Sequence, residues 1–431
     1  MFANSRNSYP YTMVWRHILF GLSVFVPRRA VAQGADTAWS ETWLGDWKQQ
    51  QIVLGSDITA LCTVSHVTAF EMSKGRAPVF FSTSPTDDFE LPKIVPMNET
   101  AGEQWEFDAV SEDGLSGVIF GFYRDPNYSV LGSGNLRMYV EFAFPDSKRF
   151  VQIDYPTEST IESCPGIGTR GEWKGDGYSY TWDVSADLDR ARVTWDTPKT
   201  KGTVSFRSIA PPRYADGNVW PSNNASLLTV PHFYWVEPIP VADVTLGAVV
   251  EGKPVSWSGI GGHERLWGAF NWFTCLDAMT FVRLKTGPYA LTFWDFESWL
   301  EKGLQVPSVF LAEDGKRVFD SRRTEPSEAE DYFTWRKVYD KDGVSGSLSD
   351  KATGFVLDLS SPTRGKQWTF IVTHKNIYFE YFLGEGVGGT GYTATVVGGQ
   401  VGTQRQWSGS GVTETLKLPE RSMVLKRNYV E

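Results

Sequence analysis

The stretch WTFIVTHKNIYFEYF, residues 368–382, decides the fold class. Polar and apolar side chains alternate along it, and a period of two is typical of a strand with one buried face. The same pattern recurs at 192–197, 202–207 and 289–296. The 41 glycines and 23 prolines interrupt the chain too often for long helices. The sequence therefore predicts an all-β fold.

The length of 431 residues exceeds one usual domain, so we expect two. The residue pattern changes near residues 209–244, where Pro211-Pro212 and Pro238-Ile239-Pro240 interrupt any regular element. Strand-rich halves suit a sandwich or a closed barrel, and a barrel of about eight strands can hold one small ligand. The expected division is an N-terminal domain at 33–230, a linker at 231–245 and a C-terminal domain at 246–431.

Composition excludes several classes of function. The formal charge of −10 disfavours nucleic acid, whose binding proteins carry basic faces. No apolar run reaches about 18 residues, so we expect no membrane span. The 18 Trp, 17 Tyr and 27 Phe suit flat, unsaturated ligands, although β-rich cores also use many aromatics.

The N-terminus has the three parts of a secretory signal peptide at 1–32. It contains four arginines and no acid, an apolar run at 18–26, and Ala30-Val31-Ala32 before Gln33. Pro27-Arg28-Arg29 is atypical, and the alternative is a disordered or mis-assigned N-terminal extension, with the protein in the cytoplasm. Three acceptor triplets for N-glycans favour secretion; they begin at Asn98, Asn127 and Asn224.

The chain shows no metal or cofactor motif. Cys62 and Cys164 are candidates for one disulfide in an oxidising compartment, whereas Cys275 lies in an apolar stretch and is expected to be an inert thiol. No two histidines have the spacing of metal ligands. The GxGxxG matches at 166–171 and 386–391 lack the following helix that a dinucleotide site needs. We expect neither metal nor cofactor.

Three aromatic segments are candidates for a ligand site, each with a structural alternative. HFYWVEP at 232–238 either lines a cleft or docks the two domains. The segment 257–273, with several Trp and Phe around His263, either meets a ligand or packs in a core. Lys375 either binds a carbonyl oxygen beside its aromatic neighbours or faces water.

These segments resemble the fungal lipocalin-like Diels–Alderases, which are related to carotenoid hydratase-like proteins. The matching residues are HFYWVEP at 232–238, GIGGHERLWGAFNWFTC at 259–275, and YFEYF at 378–382 with the glycines at 386–391 and VVGG at 396–399. The resemblance implies an N-terminal β-sandwich and a C-terminal lipocalin-like β-barrel. It also implies a stereoselective [4+2] cycloaddition in fungal secondary metabolism, without cofactor or metal.

Such a reaction needs diene and dienophile held face to face and a donor for a conjugated carbonyl. By position, the resemblance implies that Trp235 acts as an indole donor or stacking surface and Lys375 as a carbonyl donor. The residues expected to shape the cavity are Tyr234, Trp257, His263, Trp267, Trp272 and Tyr381.

The implied substrate is a hydrophobic polyene, terpene or quinone methide. The leader, the glycan triplets and the candidate disulfide favour an intermolecular hetero-Diels–Alder reaction of a quinone methide with a terpene olefin. The first alternative is an intramolecular, decalin-forming reaction on a linear polyene. The second is a lipocalin-like module that only binds its ligand, and the third is a glycan-active protein that uses the carboxyl groups of Asp295 and Glu297.

Overall fold

The computed structural model describes residues 62–71, 79–97, 101–125, 134–269 and 275–419. Within these ranges the regular structure is strand, apart from one 3₁₀ turn at Pro362–Arg364. The all-β prediction is confirmed. The predicted signal peptide, Asn98, Asn127 and Trp272 lie outside the described residues.

The first part of the described chain forms a long sheet and a short hairpin. In chain order its strands are β1 (Thr63–Thr68), β2 (Phe80–Phe81), β3 (Ile94–Val95), β4 (Ala101–Ser111), β5 (Gly117–Arg124), β6 (Leu136–Ala143), β7 (Arg149–Asp154), β8 (Glu158–Cys164), β9 (Gly168–Gly175), β10 (Tyr178–Ser185), β11 (Arg190–Asp196), β12 (Thr200–Ser208), β13 (Arg213–Tyr214), β14 (Phe233–Val250) and β15 (Lys253–Ala269). β2 pairs with β3. The others form one sheet in the order β1-β8-β9-β10-β11-β12-β14-β15-β4-β5-β6-β7, with β13 beside β14.

This sheet folds back on itself, so that β4–β6 pack against β9–β11. The Trp105 ring lies 5.3 Å from Trp173 and 5.8 Å from Trp182, and Phe120 lies 4.8 Å from Trp195. Aromatic side chains bury large areas, and this stacked layer forms the core of a sandwich.

The second part of the described chain forms a nearly closed barrel. Its strands are β16 (Leu276–Thr286), β17 (Tyr289–Ser298), β18 (Gln305–Glu313), β19 (Lys316–Ser321), β20 (Tyr332–Val338), β21 (Gly354–Ser361), β22 (Lys366–Gly384), β23 (Val387–Gln400) and β24 (Trp407–Lys417). The sheet order is β19-β18-β17-β16-β24-β23-β22-β21-β20. The two edges approach where the Phe333 amide donates to the Arg323 carbonyl at 2.9 Å. The sandwich-and-barrel prediction is confirmed.

The boundary between the two sheets differs from the expected division. The proposed linker, 231–245, lies almost entirely within β14, and the first sheet continues through β15 to Ala269. The prolines that suggested a linker are accommodated in the strand, because Pro238 and Pro240 fall at the two register shifts between β14 and β15. A proline lacks the amide that a ladder needs, so it is tolerated at such irregularities.

The described residues include all three cysteines and the acceptor asparagine of one glycan triplet. Cys62 and Cys164 form a disulfide, and Cys275 is a buried thiol outside it. Asn224 is exposed. No helix in the described ranges is long and apolar enough to cross a membrane.

Candidate active site

An apolar layer contributed by both sheets joins the sandwich to the barrel. The Trp235 ring lies 5.2 Å from Phe296 and 6.0 Å from both Phe281 and Trp294, which belong to the barrel. Successive side chains of a strand point to opposite faces, so Trp235 and its register partner Leu266 face the barrel.

A buried arginine of the barrel connects the two domains through this layer. Arg283 on β16 donates to Asp108 on β4, to Glu264 on β15 at 2.5 Å, and through Nε to the Pro240 carbonyl at 2.6 Å. All of these side chains are buried. Removing one partner of a buried ion pair is costly, so these contacts fix the barrel in place on the sandwich.

In the described chain, this layer holds more buried carboxyl groups than arginines. Burial raises the pKa of Glu106 and of Glu264 well above the usual range; repulsion by Glu414 adds to the effect on Glu106, and repulsion by Glu106 adds to the effect on Glu264. Burial also raises the pKa of Glu414 to about 6, against the Tyr378 hydrogen bond and the Arg283 charge. Carboxyl groups with raised pKa values can remain protonated near neutral pH and donate hydrogen bonds.

Next to these acids, four buried side chains carry polar hydrogens without an acceptor among the described residues. The atoms are Nη1 and Nη2 of Arg213, Nε1 of Trp235, Nε1 of Trp294 and Oγ of Ser308. The Arg213 guanidinium stacks on Trp294, with its Cζ 3.7 Å from the ring centroid, and Ser308 is the register partner of Trp294. We call Arg213, Trp235, Trp294 and Ser308 the donor cluster.

Glu237 joins the donor cluster to the acids around Arg283. Its carboxylate accepts from Arg213 Nε at 2.5 Å and from Thr292 at 2.8 Å, and lies 3.7 Å from Arg283. Glu237 thus holds Arg213 by one nitrogen and leaves the other two free. Buried donors without acceptors are costly in a folded protein, so the donor cluster is suited to oxygen atoms of a ligand.

On the opposite face of β15, by contrast, the polar side chains are satisfied. His263, Arg265 and Trp267 contact residues 79–97, which we call the strap. His263 Nε2 lies 3.0 Å from the Glu90 carboxylate, Arg265 donates to two strap carbonyls at 3.0 and 3.1 Å, and Trp267 Nε1 donates to a third at 3.1 Å. This face anchors the strap on the sandwich.

Comparison with known proteins identifies the family. The model of the Diels-Alderase-like family matches residues 59–419. The Diels-Alderase cheD of Chaetomium globosum is 52% identical over 402 residues, which cover 93% of this chain and 94% of cheD. The Diels-Alderase ffsF of Aspergillus flavipes is 49% identical over 411 residues, covering 95% and 98%. The chain belongs to the Diels-Alderase-like family.

Solved structures agree with this fold. The crystal structure of CghA with Sch210972 superposes with a TM-score of 0.71 at 24% identity, covering 83% of this chain and 99% of CghA. Two relatives in this family, at 49% and 52% identity, are named Diels-Alderases. This Diels-Alderase-like protein is therefore an enzyme that catalyses a cycloaddition on a small molecule.

The structure separates the residues that the sequence grouped into one cavity. Trp235 lies in the domain interface. Tyr234 stacks on Trp267 at 5.6 Å on the strap side, where His263 is also buried. Trp257 packs against the sandwich core. Of these residues, only Trp235 belongs to the donor cluster.

The predicted residues of β22 lie elsewhere on the interface. Tyr381 is 43% exposed. Its ring lies over Gly389, because a Cβ atom added to Gly389 would be 2.5 Å from the Tyr381 ring. Lys375 is half-buried at a register shift of β22, between His374 and Asn376.

Lys375 and Trp235 lie at different ends of the sandwich face. Asn376 donates to the Leu115 carbonyl in the turn after β4, whereas Trp235 is in register, through Leu266, with Gln104 near the start of β4. The intervening part of β4 spans roughly 20 Å at about 3.3 Å per residue. Most of the length of β4 therefore separates the backbone positions that Lys375 and Trp235 face.

Sequence reasoning missed most of the polar interface. Arg213, Arg283 and Trp294 lie outside the three aromatic segments, and no local pattern brings them together. Glu237 lies in the segment 232–238 and Glu264 in the segment 257–273. An acidic residue beside aromatic residues in a strand pattern was the signal that could have identified them as part of the site. Glu264 pairs with Arg283 rather than with its neighbour Arg265.

Proposed function

We propose that this chain catalyses an intramolecular [4+2] cycloaddition within a linear polyene whose conjugated carbonyl binds the donor cluster. The observation that carries this proposal is the set of buried N–H and O–H groups without acceptors on Arg213, Trp235, Trp294 and Ser308. A carbonyl oxygen has two lone pairs and can accept from more than one donor of this kind. These donors are held in place by packing and by Glu237, so they need little reorganisation during the reaction.

The chemistry at this site requires no proton transfer. A hydrogen bond to the carbonyl withdraws electrons from the attached alkene, and the charge that develops on oxygen is stabilised by the positive Arg213 group. The apolar rings of Phe281 and Phe296 beside Trp235 provide a wall on which the diene packs. Holding the reacting carbons face to face converts an improbable encounter into a favoured one.

The names of the relatives agree with a Diels–Alder reaction. cheD, ffsF and the Diels-Alderase phmD of Phaeosphaeria nodorum, at 49–52% identity, all carry the plain name Diels-Alderase. The leader and the glycan triplets suggested the hetero-Diels–Alder reaction instead. The second candidate, joining a quinone methide to a terpene olefin, is favoured by the Cys62–Cys164 disulfide, which is typical of secreted proteins.

The test begins with deletion of the gene in its native host and chiral chromatography of the extracts. We expect a cyclised product to disappear and a linear polyene to accumulate, and purified protein should convert this polyene with one stereochemical outcome. Accumulation of two separate precursors would support the hetero reaction. An unchanged metabolite profile under producing conditions would contradict both.

Lys375 remains a prediction from the family resemblance. Because the two residues face opposite ends of β4, Lys375→Met and Trp235→Phe are informative together. If Lys375 binds the same carbonyl, the two variants should lose similar factors in rate. We expect the larger loss for Trp235→Phe, and an equal loss would overturn the assignment of the carbonyl to the donor cluster.

We also propose that the chain enters the secretory pathway. The disulfide and the exposed acceptor Asn224 support this location. Enzymatic removal of N-glycans from the native protein should lower its mass, with Asn224→Gln as the variant for that site. A native protein that retains residues 1–32 and carries no glycan would contradict the proposal.

A further inference from the structure

The lumen of the barrel contains a second polar site that the proposed cycloaddition does not use. Along β17, Leu291 and Phe293 belong to the barrel core, whereas Trp294 and Phe296 belong to the domain interface. The alternation of the strand therefore directs Asp295 into the lumen. This carboxyl group was a sequence candidate for glycan chemistry.

Asp295 is buried, with only 5% of its surface exposed, and its Oδ1 has no hydrogen-bond partner in the described ranges. The Trp335 side chain forms a hydrogen bond with the carboxyl group and lowers its pKa, but burial, together with the negative charge of Glu297, has the larger effect and raises that pKa to about 6. A buried carboxyl oxygen without a donor is costly unless a ligand or an ordered water supplies one.

A chain of aromatic contacts begins at Phe293 and Trp335, beside Asp295, and continues along β21, β22 and β23. Phe293 lies 5.2 Å from Trp335, Trp335 lies 6.1 Å from Phe355, and Phe355 lies 5.4 Å from His374. His374 then stacks on Tyr392 at 3.9 Å. Aromatic rings beside a buried carboxyl group form the type of environment that binds organic cations.

A second atom without a hydrogen-bond partner among the described residues lies in this chain of aromatic side chains. His374 is fully buried; its Nε2 contacts Thr413 at 3.0 Å, and its Nδ1 has no partner among the described atoms. Burial lowers the pKa of His374 to about 4, so the ring is neutral near pH 7 and adds no positive charge to the lumen.

The segment 339–353 covers this end of the barrel. The amide of Gly346 donates to the Tyr392 hydroxyl at 2.8 Å, and that of Ser347 donates to the Glu380 carboxylate at 2.7 Å. Leu348 in the same segment is buried. This chain of aromatic side chains is thus shielded from water, which strengthens a charge interaction beside it.

We propose that the barrel lumen binds a small organic ammonium ion, whose N–H group donates to Asp295 Oδ1 while its alkyl groups pack on Trp335 and Phe355. An ammonium fits better than a neutral alcohol because it neutralises the buried carboxylate and is attracted to the ring faces. This site is independent of the donor cluster, which takes an oxygen acceptor on the other side of β17.

The test measures binding of benzylammonium to the full-length chain by calorimetry and by tryptophan fluorescence, with benzyl alcohol as the neutral probe. We expect saturable binding of benzylammonium only. Asp295→Asn should weaken it at least tenfold. The matched control is Asp358→Asn, which removes an exposed carboxylate from the outer face of the same barrel and should leave binding unchanged.

Thermal unfolding and the cyclisation rate of each variant separate this proposal from the proposed function. Asp295→Asn should keep both the fold and the cyclisation. If Asp295→Asn unfolds, Trp335→Phe tests the same site, and we expect weaker binding with less fluorescence change. Equal binding of the two probes, no saturable binding, or undiminished binding by an intact Asp295→Asn protein would overturn the ammonium site.

Discussion

The two faces of the β14–β15 pair carry similar residue types but differ in how their donors are used. On the strap face, Arg265 and Trp267 donate to backbone carbonyls. On the barrel face, Trp235 Nε1 and two nitrogens of Arg213, on the adjoining β13, have no acceptor in the described chain. Both faces are buried and aromatic.

This difference separates structure from function. A buried donor that has a protein acceptor contributes to stability, whereas a buried donor that lacks one is costly to the fold and persists where a ligand uses it. We therefore infer that His263 and Trp267, which contact the strap, stabilise the fold. The following predictions test this division.

The largest effect is expected on stability from Arg265→Met. The substitution removes the hydrogen bonds that hold the strap and takes the paired arginine away from the buried Glu103 carboxylate, which keeps the Lys93 amide as a donor. We expect a loss of about 3–5 kcal/mol in the free energy of unfolding, measured by urea denaturation. The control Arg323→Met breaks an exposed ion pair with Glu330 and should cost less than about 1 kcal/mol. Similar losses in both variants would contradict the role of the strap contacts.

On the barrel face, Arg213→Lys should change activity more than stability. Lysine keeps a positive charge for Glu237 but lacks the two free guanidinium nitrogens. We expect kcat/KM for cyclisation to fall by about 10–100-fold, equivalent to roughly 1.4–2.7 kcal/mol of transition-state stabilisation. The exposed Arg207→Lys is the matched control. An Arg213→Lys enzyme with full activity would show that these donors do not contact the substrate.

A smaller, pH-dependent effect is expected from Glu414. Its folded pKa of about 6 exceeds the ordinary value of 4.5, so the folded protein binds the proton more tightly than the unfolded chain does. This contribution to stability is complete below pH 4.5 and is lost as the pH rises through about 6. It amounts to about 2 kcal/mol.

Glu414→Gln should therefore flatten the pH dependence of the unfolding free energy between pH 4.5 and pH 7.5. Urea denaturation at the two pH values measures it, with the exposed Glu325→Gln as the control. If the pH dependence of Glu414→Gln equals that of the original protein, the interface carboxyl group does not hold its proton in the folded state.

The sequence was sufficient for the strands but not for the site. Alternation along residues such as Trp368 to Phe382 is a local property, and it predicted the all-β fold. Pro238 and Pro240 interrupt the alternation and suggested a linker, while the structure places them at register shifts in a continuous strand. Trp235 was found through its aromatic neighbours. Arg213 and Trp294 approach it only through the packing of β13 and the barrel on β14, which no local pattern records.

The most direct test of the division between the two faces is the pair Trp235→Phe and Trp267→Phe, measured for cyclisation rate and for unfolding free energy. Each substitution removes one indole N–H from a buried ring, but only Trp267 donates to a protein acceptor, at 3.1 Å. We predict that Trp267→Phe loses about 1 kcal/mol of stability or more and keeps its rate. Trp235→Phe should stay nearly as stable as the original protein and lose about tenfold in rate. Equal rates for the two variants, or a rate loss confined to Trp267→Phe, would contradict the account.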